Sequence, residues 1–140
     1  MPGLIELGRA CVDKDWRGSV AVMRLWSAIA AYMTSVGAKN LIGCVSSPLA
    51  GGMEEAGRIW QKLKEKTTNP LGVLAQPRSA LILPENLERV SLPPLVKGYV
   101  NFGGQLLCAP AYDPFFNTAD FLLHCSLDNI NVRYKTRFFR

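Results

Sequence analysis

LIELGRACVDKDWRGSVAVMRLWSAIAAYMTSV, residues Leu4 to Val36, reads as a strand, a polar turn and a helix in that order. The strand is expected over Leu4–Val12. Period-two alternation sets Glu6 with Leu4 and Ala10 on one face, and Arg9 with Ile5 and Leu7 on the other. Gly8 lies between the two charges, and a glycine inside a strand marks a bulge that would bring Glu6 and Arg9 to one face as a pair. Asp13–Gly18 is the turn. Ser19–Val36 then carries Val22, Leu25, Trp26, Ile29, Tyr32, Met33 and Val36 at helical spacing, with Gly37 as the stop. The opposite face is mostly alanine and valine, so this helix is expected to be covered on two sides.

Working outward, Asn40–Ser46 is a second apolar strand, which makes strand, helix, strand: a parallel, right-handed crossover. Gly51–Lys66 reads as a more exposed helix with Met53, Ala56, Ile59 and Leu63 inward and a Glu54–Arg58 pair one turn apart. A short strand is expected at Leu71–Ala75, followed by the apolar run Ala80–Leu83. Pro93 and Pro94 open a short helix, Leu95–Phe102. Gln105–Ala109 and Asp120–Cys125 read as antiparallel strands joined by the loop PAYDPFFNT. The tail NVRYKTRFFR alternates basic and apolar residues, the pattern of a solvated edge strand. The class is α/β: a mixed sheet with flanking helices in one domain over residues 1–140.

The chain has 140 residues, a formal charge of +5 and a pI near 9.2. That basic balance suits phosphates, anionic lipid headgroups, an acidic protein or nucleic acid. Cys11, Cys44, Cys108 and Cys125 are far apart in apolar runs, with no zinc-ligand spacing; a disulfide pair is one reading, and reduced, buried thiols the plainer one. No metal is expected. The N-terminus lacks the pattern of a signal peptide, and Arg24 interrupts the longest apolar run, so a soluble or peripheral protein is expected.

Three sets of residues invite chemistry. Arg17-Gly18-Ser19 stands at a helix start, where unclaimed amides and the helix dipole favour an anion; an ordinary capped helix with a solvated arginine is the plainer reading. Glu6 and Arg9 in an apolar strand are either a structural ion pair or a functional one. Asp113, Asn117 and Asp120 are explained by turn chemistry, and His124, the single histidine, by a structural role in a strand. No phosphate-loop, dinucleotide or Ser/His/Asp pattern is present.

Together these residues resemble the central half of the GCN5-related N-acetyltransferase (GNAT) fold. ELGRACVDKDWRG at Glu6–Gly18, LWSAIAAY at Leu25–Tyr32, IGCVSS at Ile42–Ser47, LPPLVKGY at Leu92–Tyr99 and DPFFNTAD at Asp113–Asp120 are similar to the ornithine acyl-[acyl carrier protein] N-acyltransferases. The resemblance implies the C-terminal portion of a GNAT-like domain, since complete members have further N-terminal strands. It implies transfer of a 3-hydroxy fatty acyl group from acyl carrier protein to the α-amine of ornithine, in ornithine-lipid synthesis. The donor would be the acyl-phosphopantetheine arm, or acyl-CoA, with no permanently bound cofactor. Arg17, Gly18, Ser19 and Arg24 are expected to hold that arm. Glu6 is expected to accept the proton or position the amine, with Arg9 fixing it. Acyl carrier protein is the expected partner, nucleic acid is not, and the expected place is the cytoplasm with peripheral contact at the inner membrane face. Autoinducer synthases share the scaffold and are the nearer alternative. A non-catalytic piece that binds acyl carrier protein or lipid is the alternative from another class.

Overall fold

The structure, a computed structural model, describes residues 3–65, 75–89 and 91–138. Its strands are β1 (Leu4–Leu7), β2 (Asn40–Pro48), β3 (Gln105–Leu106), β4 (Ala111–Asp113) and β5 (Thr118–Ser126). Its helices are α1 (Ser19–Ser35), α2 (Glu54–Lys64), α3 (Pro94–Asn101) and α4 (Val132–Phe138). The sheet has the order β1-β2-β5-β3, with β4 paired to β5. The mixed sheet with flanking helices is the α/β class expected. The chain packs as two compact units: Met1–Gly43 with Pro93–Gly104 and His124–Arg140, and Cys44–Leu92 with Gln105–Leu123.

In the first unit, β1 runs parallel to β2, from Leu4 opposite Asn40 to Leu7 opposite Gly43. The parallel pairing is as the sequence implies, but the strand is shorter. It ends at Leu7 rather than Val12, because Arg9 takes a left-handed conformation (φ 54) that no extended strand contains. β2 continues through Cys44–Pro48 with no β1 residue opposite.

Helix α1 closes as expected. Gly37 adopts φ 66, the Ala38 amide bonds the Met33 carbonyl at 2.9 Å, and the Gly37 amide bonds that of Thr34 at 3.3 Å. This is the paired C-terminal arrangement that a left-handed glycine permits. Trp26, Ala30 and Met33 are its buried residues. Gly98 on α3 lets the Trp26 indole rest against the α3 backbone. Tyr99 meets that indole edge-on at 4.9 Å between centroids, and Phe102 lies against it at 4.3 Å. The other expected stripe residues behave differently: Leu25, Tyr32 and Val36 are exposed, and so is Val20. Among the described residues α1 is therefore covered on one side, not two.

The tail is a helix, not a strand. Asn131 supplies the start: its Oδ1 accepts from the Arg133 amide at 3.0 Å and its carbonyl from the Lys135 amide at 2.9 Å. Local capping of this kind overrides a two-residue alternation. Tyr134 then accepts from Asn101 Nδ2 at 2.8 Å, fastening α4 to the end of α3.

In the second unit, α2 buries Ala56, Gly57, Ile59 and Leu63, while Met53 stays partly exposed ahead of the helix. Gln61 makes two bonds to the main chain of Leu87, at 2.7 and 3.2 Å. The segment after Ala109, read as a loop, contains β4, which pairs antiparallel with β5. Asp113 Oδ1 accepts from the Phe115 and Phe116 amides at 2.8 and 3.1 Å, which ties the turn between them. Ala80 bridges Ala111, so part of the Ala80–Leu83 run joins the sheet. The strand expected at Leu71–Ala75 lies, apart from Ala75, outside the described residues.

The cysteines form no disulfide, but only Cys125 is buried; Cys108 is half-buried, and Cys11 and Cys44 are exposed. Among the described residues no helix is long and apolar enough to cross a membrane.

Candidate functional site

The first unit builds the α1 start from a short polar turn. Asp13 Oδ1 accepts from the Asp15 amide and its carbonyl from the Trp16 amide, both at 3.0 Å, which winds Lys14–Trp16 into one 3-10 turn. Arg17 then folds back, its Nε donating to the Val12 carbonyl at 3.1 Å while the side chain stays exposed. Gly18 follows at φ 156, ψ 178, a combination open essentially to glycine alone.

No side chain caps α1, and no acidic residue stands in its first turn. The first helical bond runs from the Val22 amide to the Gly18 carbonyl at 3.3 Å. The amides of Ser19, Val20 and Ala21 therefore have no acceptor within the helix. A helix of this length adds its positive end at the same place. The geometry can hold an anionic group beside Arg17 without a carboxylate competing for it.

Of the residues singled out from sequence, Arg17, Gly18 and the Ser19 backbone come together here; the Ser19 side chain lies outside the described residues. Arg24 is exposed more than a turn further on, roughly 7–8 Å along the axis from Ser19. Glu6 is exposed on β1 opposite Ile42. Arg9 is exposed beyond the end of that strand. The bulge expected at Gly8 is absent, and no ion pair joins Glu6 to Arg9 among the described residues, because the chain turns away before Arg9 could share a face with Glu6.

Two features were not visible in the sequence. His124 is buried, with Nε2 3.0 Å from Asn40 Oδ1, and burial pushes its pKa down. The two residues are distant in sequence, so only the sheet brings them together. The second unit also holds a cavity of about 220 Å³ lined by Arg58, Lys62, Glu65, Glu88 and Arg89 among others. Glu65 lies 3.7 Å from Lys62 and 3.5 Å from Arg89, so the cavity's charges largely answer one another. Arg58, expected to pair with Glu54, is not in an ion pair with it, and its buried Nε has no partner.

No family model matches the chain, and no solved structure matches it significantly. Curated proteins do. One from Brucella abortus is 29% identical over 140 residues, covering 94% of this chain and 50% of the relative. One from Agrobacterium fabrum is 30% identical over 148 residues, covering 93% and 47%, and one from Rhizobium meliloti is 30% identical over 139 residues with the same shares. Each is named L-ornithine N(alpha)-acyltransferase. The chain spans about half the length of the curated relatives it matches. Along nearly all of its own length, the chain is thus similar to about half of each of these L-ornithine N(alpha)-acyltransferases.

Proposed function

We propose that this chain is part of an N-acyltransferase that moves a fatty acyl group, 3-hydroxylated in the closest reading, from acyl carrier protein to the α-amine of ornithine. The observation that carries the proposal is the name shared by its relatives, matched across 93–98% of this chain. The α1 start supports the donor side. A phosphopantetheine arm presents one phosphate, and Arg17 with the amides after Gly18 offers charge and hydrogen-bond donors for it. The basic surface suits an acidic carrier protein by steering encounter. Such a donor is cytoplasmic, which makes the cytoplasm the place of reaction.

In this reading the neutral amine attacks the thioester carbonyl, forming the C–N bond and a tetrahedral oxyanion that amides stabilise. Collapse breaks the C–S bond and releases the thiolate of the arm. The amine's proton passes to a carboxylate or water and then to that thiolate. Glu6, exposed on β1, is the carboxylate we assign to this step or to holding the amine, and Arg9 is assigned to positioning it.

The test is steady-state transfer with substituted chains. Arg17→Ala should raise the KM for acyl carrier protein with little change in kcat, and Glu6→Gln should lower kcat. Unchanged turnover in Glu6→Gln removes Glu6 from the mechanism, and an unchanged KM in Arg17→Ala removes the phosphate site.

A further inference from the structure

Helix α1 has a second face that nothing among the described residues covers. At about 100° per residue, Leu25, Ala28, Tyr32 and Val36 fall within an arc of about 80°. Their exposure is substantial: 39% for Leu25, 57% for Tyr32 and 50% for Val36. Val20, on the other side of Arg24 from this arc, is 66% exposed, and Trp16, in the turn leading into the helix, is 77% exposed. A contiguous exposed apolar surface of this kind marks a contact site rather than ordinary surface.

Charge indicates what it contacts. The one charged residue of α1 is Arg24, which is exposed on the same side as Val20 and Ala28. The unit that contains α1 has ten Lys and Arg against four Asp and Glu, a net of +6; the other has six against seven, a net of −1. The basic character of the chain is thus concentrated with this helix. It includes the exposed Arg133 and Lys135 on α4, which packs against α1.

We propose that the open face of α1, with Trp16 at its N-terminal end, rests in the headgroup region of an anionic lipid bilayer. An apolar stripe on a helix whose one charged residue is a cation, within a net-basic unit, fits an interfacial helix, although the turn that holds Trp16 also carries Asp13 and Asp15. Trp and Tyr have amphipathic rings that settle at that depth, and basic residues nearby are drawn to the anionic surface. The inference is independent of the transfer chemistry proposed above.

The test uses the full chain with vesicles of phosphatidylcholine, with and without phosphatidylglycerol. Cosedimentation should occur with the anionic vesicles and be much weaker without them. Tryptophan emission should shift to the blue on binding, and Trp16→Phe should abolish most of the shift, since Trp26 is already buried and the half-buried Trp60 is on α2 rather than on this face. Arg24→Glu and Tyr32→Ser should each weaken binding roughly tenfold. Near-ultraviolet circular dichroism checks that both variants keep the packing of Trp26. Failure to bind anionic vesicles overturns the proposal. So does binding indifferent to both substitutions. An emission shift that follows protein concentration without lipid assigns the face to a second copy, and one that follows added acyl carrier protein without lipid assigns it to that protein; either contradicts the membrane assignment.

Discussion

The His124 imidazole on β5 lies 3.0 Å from the side-chain oxygen of Asn40 on β2, so Nε2 donates and the buried Nδ1 has no partner. That arrangement suits the neutral ring, and burial lowers the folded-state pKa below the ordinary value of 6.5. The unfolded chain takes up a proton near pH 6.5 while the folded chain does not. This group therefore leaves stability flat above that pH and lowers it as pH falls through the window down to the folded pKa. Denaturation midpoints measured from pH 8 to pH 5 should drop over the acidic part of that range. His124→Gln should flatten the drop. An unchanged slope in that variant would show that other groups cause it.

Trp26 and Gly98 lock α1 to α3 by close approach. A Cβ at position 98 would run into the indole ring. Overpacking of this sort costs about 1–3 kcal/mol, against which alanine's better helix propensity returns about 1 kcal/mol. Gly98→Ala should therefore lower the urea midpoint, and a rise would mean that the indole can move aside at little cost.

Gly18 separates space from backbone angle. Nothing lies within 4 Å of a Cβ placed there, yet φ 156 with ψ 178 is strained for any other residue. Gly18→Ala should cost about 1–3 kcal/mol of stability through the backbone alone. Arg17→Ala, at an exposed position, should stay within about 0.5 kcal/mol. Equal losses in the two would place the stabilising contact in the arginine instead.

The cysteines should differ sharply in reactivity. Burial pushes the Cys125 thiol up to about 12, whereas Cys11 and Cys44 are exposed. Maleimide labelling of the native protein near pH 8, read by peptide mass spectrometry, should modify Cys11 and Cys44 well before Cys125. Urea should remove the difference. Cys125 labelling as fast as Cys11 in native buffer contradicts the burial of Cys125.

The strand–helix–strand unit was legible because its signals are local. Apolar runs, the turn residues before Gly18 and the glycine at 37 each act within a few positions. The length of β1 was not, since Arg9 adopts a left-handed angle that its residue type does not announce. The tail misled for a related reason: alternation suggests a strand, but Asn131 caps a helix and Tyr134 reaches Asn101. Which side of α1 is buried depends on where Gly98 and Phe102 stand, and periodicity along α1 alone cannot contain that. The uncapped start of α1 was legible as Arg17-Gly18-Ser19. The pairing of Glu6 with Arg9 was inferred from a bulge that did not form.

Product analysis after incubation with 3-hydroxyacyl carrier protein and a panel of amino acids tests the central claim most directly. It should be run on this chain and on the longest polypeptide its gene encodes. Release of the carrier's free thiol together with N-acyl ornithine is the predicted result. A homoserine lactone product instead would assign the scaffold to autoinducer synthesis, and an intact thioester with every amine in both polypeptides would contradict an acyltransferase altogether.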